Sequence, residues 1–296
     1  MNGRTGSQSH WTRRRGLPFG QGNYSVWATM PDFAANIDWL FTEHRFPDRF
    51  AMASAAGFSA VECSAPYQMD VSEIRKRLRR YGLKLAVIDT PPAADGMLGL
   101  GAVPGRSADF LDGIRRAVDM AAELSCPLVH AVAGVVEGDI THDVACSVFV
   151  ENLSKAVEIA AAADIVLTLE PINPFDIAGY FLNRTGDAVA IINQIDSPNL
   201  RLQLDFYHRQ MLEGGLTEAW EEHRNLIAHI QIAGLPGRHE PDDGEIWYPH
   251  LFDRLDRDGY TGWVGCEYSP RGKTLEGLRW ASRWGIGLVV QSPRAQ

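Results

Sequence analysis

The chain has 296 residues, of which 45% are hydrophobic, and it carries a formal net charge of −9. This length supports a sizeable core, while the acidic balance argues against nucleic acid or an anionic membrane surface as a partner. No run of about eighteen apolar residues occurs, so the sequence predicts no membrane span.

The first part of the chain differs in composition from the rest. Residues 1–29 are rich in Gly, Ser, Arg and Gln, contain four arginines and no acidic residue, and have no apolar periodicity. We therefore expect a disordered extension over residues 1–29 and a single folded domain over residues 30–296.

From residue 33 onward, strand-like and helix-like segments alternate. Predicted strands cover 33–36, 59–63, 83–89, 128–133, the apolar part of 165–173, 200–205, 227–232 and 263–267. Predicted helices cover 46–56, 71–81, 107–124, 141–163, 185–194, 217–224, 248–258 and 274–284. This alternation indicates a parallel sheet with right-handed crossovers, and eight such strands closing on themselves give an α/β protein of the (β/α)8 TIM barrel class.

The cysteines bear on the redox environment of the protein. Cys63, Cys126, Cys146 and Cys266 form no CxxC pair and no framework spacing, and each lies in an apolar or helical segment. We expect reduced, buried thiols in a cytoplasmic protein, because disulfides are rare in that compartment.

Polar side chains stand at the ends of predicted strands five to eight, namely Glu170, Asp205, Gln231 and Glu267. The carboxyl ends of barrel strands lie on one side of the barrel, where such enzymes carry their active sites. Taken singly, each residue also has a structural explanation, such as an ion pair or a polar contact in the core. Four of them at successive strand ends, all with inward parity, favour a common site.

Three carboxylates in a narrow barrel mouth raise one another's pKa unless a cation compensates their charge. All four side chains offer oxygen donors, which favours Mg²⁺ or Mn²⁺ over zinc as the cofactor and leaves coordination positions for a small substrate. The same parity turns Gln203 and His229 inward one layer below, where we expect them to hydrogen-bond the metal ligands.

Four further residues are candidate substrate contacts. His208 follows Asp205 by three residues and would lie beside the metal, and Arg238 offers a planar fork for an anionic group. Glu62 and His130 lie at the ends of predicted strands two and four. For these two residues, substrate contact and hydrogen bonding within the core are both open.

Longer motifs carry a resemblance to a known family: Glu170-Pro171-Ile172-Asn173, Asp205-Phe206-Tyr207-His208, Pro236-Gly237-Arg238-His239-Glu240-Pro241 and Gly265-Cys266-Glu267-Tyr268. With them the chain resembles the hydroxypyruvate isomerase family, which includes 2-oxo-tetronate isomerases and lies among the xylose isomerase-like TIM barrels. The resemblance implies that Glu170 and Glu267 form an acid/base pair. It implies metal ligands at Glu170, Asp205, Gln231 and Glu267. It also implies that His208 and Arg238 contact the substrate.

The chemistry that this resemblance implies is isomerisation of a small oxo-hydroxy acid: hydroxypyruvate to 2-hydroxy-3-oxopropanoate, or 2-oxo-tetronate to 3-oxo-tetronate. A metal-stabilised enediolate would form, and the two glutamates would move a proton between adjacent carbons, in an order left unassigned. The alternatives are a ketose 3-epimerase, a lyase of the inosose dehydratase type, and a non-catalytic barrel that binds a sugar acid. A homo-oligomer is common for such barrels, but no residue in the sequence specifies one.

Overall fold

Eight parallel strands close into one barrel, and their order around the barrel is their order along the chain. The computed structural model describes residues 31–288, so the extension predicted over residues 1–29 lies outside the described residues. The closed barrel confirms the predicted fold class. The strands are β1 (Asp32–Asn36), β2 (Ala60–Cys63), β3 (Lys84–Asp89), β4 (Leu128–His130), β5 (Val166–Leu169), β6 (Leu200–Asp205), β7 (Ile227–Ile232) and β8 (Trp263–Cys266).

Helices occupy the connections between the strands, and α2 illustrates why they begin and end where they do. The Asp70 carboxylate accepts the N–H of Ser72 at 2.8 Å and caps the helix, and Gly82 ends it in the left-handed region at φ 65°. The α-helices in residues 31–288 are α1 (Phe46–Ala55), α2 (Val71–Tyr81), α3 (Ser107–Leu124), α4 (His142–Ala162), α5 (Thr185–Ile195), α6 (Phe206–Leu212), α7 (Leu216–His223), α8 (Tyr248–Arg257) and α9 (Thr274–Gly277).

The prediction of one α-helix over 274–284 is wrong. The chain makes the short α9 and then winds more tightly as a 3₁₀ helix over Leu278–Trp284. In this segment Trp280 and Trp284 both pack edge-on against Phe33 of β1, with ring centroids 5.4 and 5.3 Å away. These contacts with the barrel are tertiary, so the local sequence pattern does not report them.

Helix α6 has no counterpart among the predicted elements. It begins directly after β6, because Asp205 Oδ1 accepts the N–H of Tyr207 at 2.7 Å and caps the first turn. The turn places His208 at the end of the barrel with only 3% of the residue exposed. A strand residue and a helix residue are thereby brought to the same mouth.

The main apolar core lies between the barrel and the helices. The residues predicted to face the helices are at most 1% exposed and belong to the same buried cluster as residues of α3, α4 and α5. Burial of each such Leu or Ile side chain stabilises the fold by about 1.5–3 kcal/mol. These strand residues are Leu169, Leu204, Ile230 and Cys266.

Two further sequence predictions concern the environment of the chain. Within residues 31–288, no helix combines the length and the apolar character needed to cross a bilayer. All four cysteines are free thiols, as predicted, and three of them are buried. Cys146 on α4 packs against the core but is only half-buried, so the expectation of burial is wrong at that position.

Candidate active site and metal centre

The four residues predicted as metal ligands all reach the carboxyl end of the barrel. Glu170 and Glu267 come directly after β5 and β8, Asp205 ends β6, and Gln231 is the next-to-last residue of β7. Strand register pairs Asp205 with Gln231, and Gln231 with Gly265 on β8. Each of the four side chains belongs to a residue that is 8% exposed or less.

Three candidate metal-ligand atoms lie close together at this mouth. One ligand atom each from Glu170, Asp205 and His208 lies within 4.8 Å of the other two. His208 Nε2 is 3.7 Å from Glu170 Oε1 and 3.7 Å from Asp205 Oδ2. Neither of those carboxylate oxygens has a hydrogen-bond partner among the described residues, although both are buried.

Buried oxygens without partners are costly, at about 1–3 kcal/mol for a neutral group and more for a charged one. A divalent cation bonded to Glu170 Oε1 and Asp205 Oδ2 would remove that cost. Two carboxylates with further oxygen ligands nearby suit a divalent metal ion. The residues present therefore fit the metal cofactor that the sequence predicts.

Glu267 and Gln231 lie at the same mouth but are held by neighbouring side chains. The Glu267 carboxylate accepts hydrogen bonds from Arg238 Nη2 at 2.7 Å and from Asn36 Nδ2 at 3.1 Å. Gln231 Oε1 accepts from Gln203 Nε2 at 2.8 Å. The three-atom group thus contains two of the four predicted ligands together with His208, and the four-ligand set stays a prediction.

The polar layer predicted beneath the ligands is present. Gln203 Nε2 donates to Glu170 Oε2 at 2.9 Å as well as to Gln231, and Thr168 donates its hydroxyl to Gln203 Oε1 at 3.0 Å. The predicted hydrogen bonds from Gln203 to Glu170 and Gln231 are therefore present. His229 differs, because its Nε2 contacts Glu62 Oε2 at 2.6 Å and no metal-ligand candidate.

Arg238 lies inside the site and forms ion pairs with three carboxylates. Its guanidinium is 2.7 Å from Glu267, 3.3 Å from Asp176 and 3.6 Å from Asp205. It also stacks over Trp39, 4.4 Å from the ring centroid, which adds a cation–π contact. Arg238 is thus positioned as the main positive charge of the mouth.

Asp176 and Asn36 are site residues that the sequence reasoning missed. Asp176 pairs with Arg238 and accepts a hydrogen bond from the Tyr207 hydroxyl at 3.3 Å. A signal for it existed, since Asn173 in the motif after β5 makes an Asx turn: its Oδ1 accepts the N–H of Phe175 at 3.0 Å and also that of Asp176 at 2.9 Å. Asn36 ends β1, and its contact with Glu267 depends on β1 lying beside β8.

Glu62 and His130 occupy different positions. Glu62 is 1% exposed and bonds to His229 and Gln231 beneath the mouth, which fits the core hydrogen-bonding alternative. His130 Nδ1 lies 3.5 Å from Glu170 Oε2 and 3.3 Å from Asp89 Oδ1. Its two ring nitrogens are buried and have no hydrogen-bond partner within residues 31–288, so the imidazole keeps its capacity to bind a ligand.

Burial controls the charges of the site. Desolvation raises the pKa of Glu170 well above its ordinary value, and the charges of Glu267 and Asp205 raise it further. Desolvation likewise raises the pKa of Glu267 well above its ordinary value, although Arg238 opposes the shift. Burial raises the pKa of Asp205 to about 6 despite the opposing charge of Arg238. Further positive charge at the mouth would therefore favour the ionised form of each of these carboxylates.

The pKa of His208 is shifted in the opposite direction to that of the carboxyl groups. Burial lowers the pKa of its imidazole well below the ordinary value, and the nearby Arg238 and His130 lower it further. The imidazole is neutral at physiological pH for that reason. Its Nδ1 accepts a hydrogen bond from Asn173 Nδ2 at 2.7 Å, so Nε2 carries the ring proton and can donate it to a carboxylate or to substrate.

Comparison with known proteins places this site in a family. The family model described as "Xylose isomerase-like TIM barrel" matches residues 50–284. The chain is 45% identical over 253 residues to the 2-oxo-tetronate isomerase of Cupriavidus necator, with 85% of this chain and 97% of that protein covered. It is 38% identical over 250 residues to the hydroxypyruvate isomerase of Escherichia coli, with 84% and 97% covered.

A solved structure supports the same relationship. The crystal structure described as AP endonuclease, family 2, from Brucella melitensis is 40% identical to this chain and has a TM-score of 0.84, with 86% of this chain and 99% of that chain covered. Because the family model matches residues 50–284 and the two isomerases are 38–45% identical to this chain over most of its length, this protein belongs to the hydroxypyruvate isomerase family of xylose isomerase-like TIM barrels and is an isomerase.

Proposed function

We propose that the protein isomerises a small 2-oxo-3-hydroxy acid, with hydroxypyruvate and 2-oxo-tetronate as the candidate substrates. The observation that carries the proposal is the pair Glu170 and Glu267, two buried carboxyl groups of raised pKa at one barrel mouth. Groups with such a pKa are suited to take and return a proton near neutral pH. The relatives named above act, by their names, on substrates of this class.

In this proposal Glu170, Asp205, Gln231 and Glu267 hold Mg²⁺ or Mn²⁺, and His208 Nε2 lies beside the first two. The unpartnered Glu170 Oε1 and Asp205 Oδ2 support two members of this ligand set. When bound, such an ion would polarise the substrate carbonyl and compensate the negative charge that develops on its oxygen.

The proton is moved by the glutamates. With hydroxypyruvate, one ionised glutamate removes a proton from C3, and the C3–H electron pair becomes the C2–C3 double bond of an enediolate. The other glutamate delivers a proton to C2, while the hydroxyl proton passes from O3 to O2. The product is 2-hydroxy-3-oxopropanoate, and no oxidant or reductant is consumed.

Neighbouring residues orient these groups. Gln203 holds Glu170 Oε2 and leaves Oε1 for the pocket, and Asn36 and Arg238 hold Glu267. His208, His130 and Arg238 offer donors for the substrate carboxylate and oxygens. Arg238 is already paired with carboxylates, so it would bind the substrate as part of a charge network.

The test is proton NMR of hydroxypyruvate in D₂O with metal-stripped enzyme, before and after addition of Mg²⁺ or Mn²⁺. We expect 2-hydroxy-3-oxopropanoate to appear only after metal addition, with deuterium incorporated at carbon. The same assay with 2-oxo-tetronate distinguishes the two substrates. If neither acid yields a product and a ketose instead exchanges its C3 proton, the proposal fails in favour of a 3-epimerase.

A further inference from the structure

Glu62 is a buried carboxylate in the barrel interior that the proposed reaction does not use. We propose that Glu62 is a positioning residue, which orients the side-chain amide of Gln231 so that the amide oxygen is available to the metal. This inference rests on the proposed function. It assigns to Glu62 a role in assembling the site in place of a contact with substrate.

The two carboxylate oxygens of Glu62 have different partners. Oε2 lies 2.6 Å from His229 Nε2, an imidazole that is fully buried. Oε1 accepts from Gln231 Nε2 at 3.4 Å. Because His229 occupies one oxygen, the other is directed to the amide nitrogen of Gln231.

The opposite side of the amide has a donor. Gln203 Nε2 donates both to Gln231 Oε1 at 2.8 Å and to Glu170 Oε2 at 2.9 Å. Gln231 Oε1 therefore lies on the side of the barrel where Glu170 is placed. A continuous chain of hydrogen bonds runs from Glu62 through Gln231 and Gln203 to Glu170.

The reversed amide would be unfavourable at both ends. Gln231 Oε1 would face the carboxylate of Glu62, and Gln231 Nε2 would face the NH₂ group of Gln203. An acceptor would meet an acceptor and a donor would meet a donor, with each buried group left unpaired. Glu62 and Gln203 thus select one of two orientations that have nearly the same shape.

Gly265 on β8 provides the space for this arrangement. A Cβ atom added at Gly265 would collide with both carboxylate oxygens of Glu62. The φ of Gly265 is not in the left-handed region, so backbone conformation is not what calls for glycine here. The glycine lets a long side chain from β2 reach across the barrel to β7.

The test measures Mn²⁺ affinity of the full-length, metal-stripped protein without substrate, by electron paramagnetic resonance of free Mn²⁺. Glu62→Leu should weaken binding about 10- to 100-fold, the usual effect of removing a group that orients a metal ligand. Glu62→Gln should stay within about threefold of wild type, because its carbonyl still accepts from Gln231 Nε2. Gly265→Ala should weaken binding like Glu62→Leu, since it displaces Glu62.

A double-mutant cycle separates orientation from other effects. In Gln231→Ala the side-chain amide that Glu62 orients is absent. Adding Glu62→Leu to that variant should therefore change Mn²⁺ affinity by less than about threefold. An equal loss in both backgrounds would mean that Glu62 acts through its charge, and would overturn the proposal.

Controls distinguish failure of this inference from failure of the proposed function. Glu240→Gln removes another buried carboxylate, one that pairs with Arg271, and should leave Mn²⁺ affinity unchanged. If wild-type protein binds Mn²⁺ and the Mn²⁺ affinity of Glu62→Leu equals that of wild type, the inference is refuted and the proposed function is not. Wild-type protein that binds no Mn²⁺ would refute the metal site and the inference with it. Circular dichroism reports folding, and Gly265→Ala keeps the test valid should Glu62→Leu not fold.

Discussion

At the scale of the residue, the site places acidic groups where water cannot stabilise their charge. Glu170, Asp205 and Glu267 are all buried, and burial is the largest cause of the raised pKa in each case. Arg238 offsets part of the charge through contacts with Asp205 and Glu267. The residue-level predictions follow from this balance.

Glu267→Gln should lower kcat by about 10²- to 10⁴-fold, because the amide cannot exchange the proton that a general acid or base must carry. The fold should persist, since the amide oxygen can still accept from Arg238 at the position of Oε2, although the hydrogen bond from Asn36 to Oε1 is lost. Steady-state kinetics on the substrate identified by NMR measures the effect. Glu245→Gln, an exposed position in the loop that carries Arg238, is the matched control. A kcat close to wild type would remove Glu267 from the acid/base pair.

Asp205 should make the stability of the metal-free protein depend on pH. Its pKa in the folded protein is about 6, above the ordinary value of 3.8, so the folded state holds this proton more tightly than the unfolded state. The stabilising contribution is complete below pH 4 and is lost as the pH rises through 6. Two pKa units correspond to about 3 kcal/mol.

Asn does not titrate, so Asp205→Asn isolates this effect. In the presence of a chelator, the free energy of unfolding of wild type should fall relative to the variant between pH 4 and pH 7. Urea unfolding at both pH values gives the difference. A difference that does not change with pH would contradict the assigned pKa.

At the scale of the element, the backbone of the connection between β7 and α8 is tightly constrained. It carries Arg238 at a positive φ of 56°, and its ends are joined by a hydrogen bond from Glu245 N to Leu235 O at 2.7 Å. Gly244 has φ 136°, and a Cβ atom there would collide with the Leu235 backbone. Only glycine meets both conditions without strain.

Gly244→Ala should therefore destabilise the protein by about 1–3 kcal/mol and raise KM, because the connection that positions Arg238 must shift. Thermal unfolding and steady-state kinetics measure the two effects. Gly272→Ala is the control, since a Cβ atom at Gly272 meets no atom within 4 Å and its φ lies outside the left-handed region. Equal behaviour of the two variants would show that the connection is more adaptable than this geometry implies.

At the scale of the whole molecule, the proposed metal site joins strands from half of the barrel. An ion held by residues of β5 to β8 and by α6 would bind the folded chain and not the unfolded one. Mg²⁺ or Mn²⁺ at 100 times its Kd should then stabilise the protein by about 2.7 kcal/mol. Scanning fluorimetry should detect this as a rise in Tm that is reversed by chelator and lost in Asp205→Asn. The same rise in that variant would place the ion elsewhere.

Much of the fold could be predicted from the local sequence, because apolar residues repeat with different periods along strands and helices. β6 and β7 have the predicted bounds, as do α2 and α3, since apolar runs, caps and glycine stops are local signals. The 3₁₀ winding near the C-terminus and the helix α6 were not predictable in this way. The first accompanies aromatic packing on β1, and the second depends on a cap supplied by a residue also expected as a metal ligand.

The sequence by itself determined the barrel, the strand ends that carry Glu170, Asp205, Gln231 and Glu267, and the inward parity of Gln203. These properties depend on the alternation of side chains along each strand. Only the tertiary structure decided that His208 joins Glu170 and Asp205, that Arg238 pairs with Asp176, and that Glu62 reaches Gln231. Such contacts join residues far apart in the chain, and they exist because barrel closure and the connections after the strands bring those residues within hydrogen-bond distance.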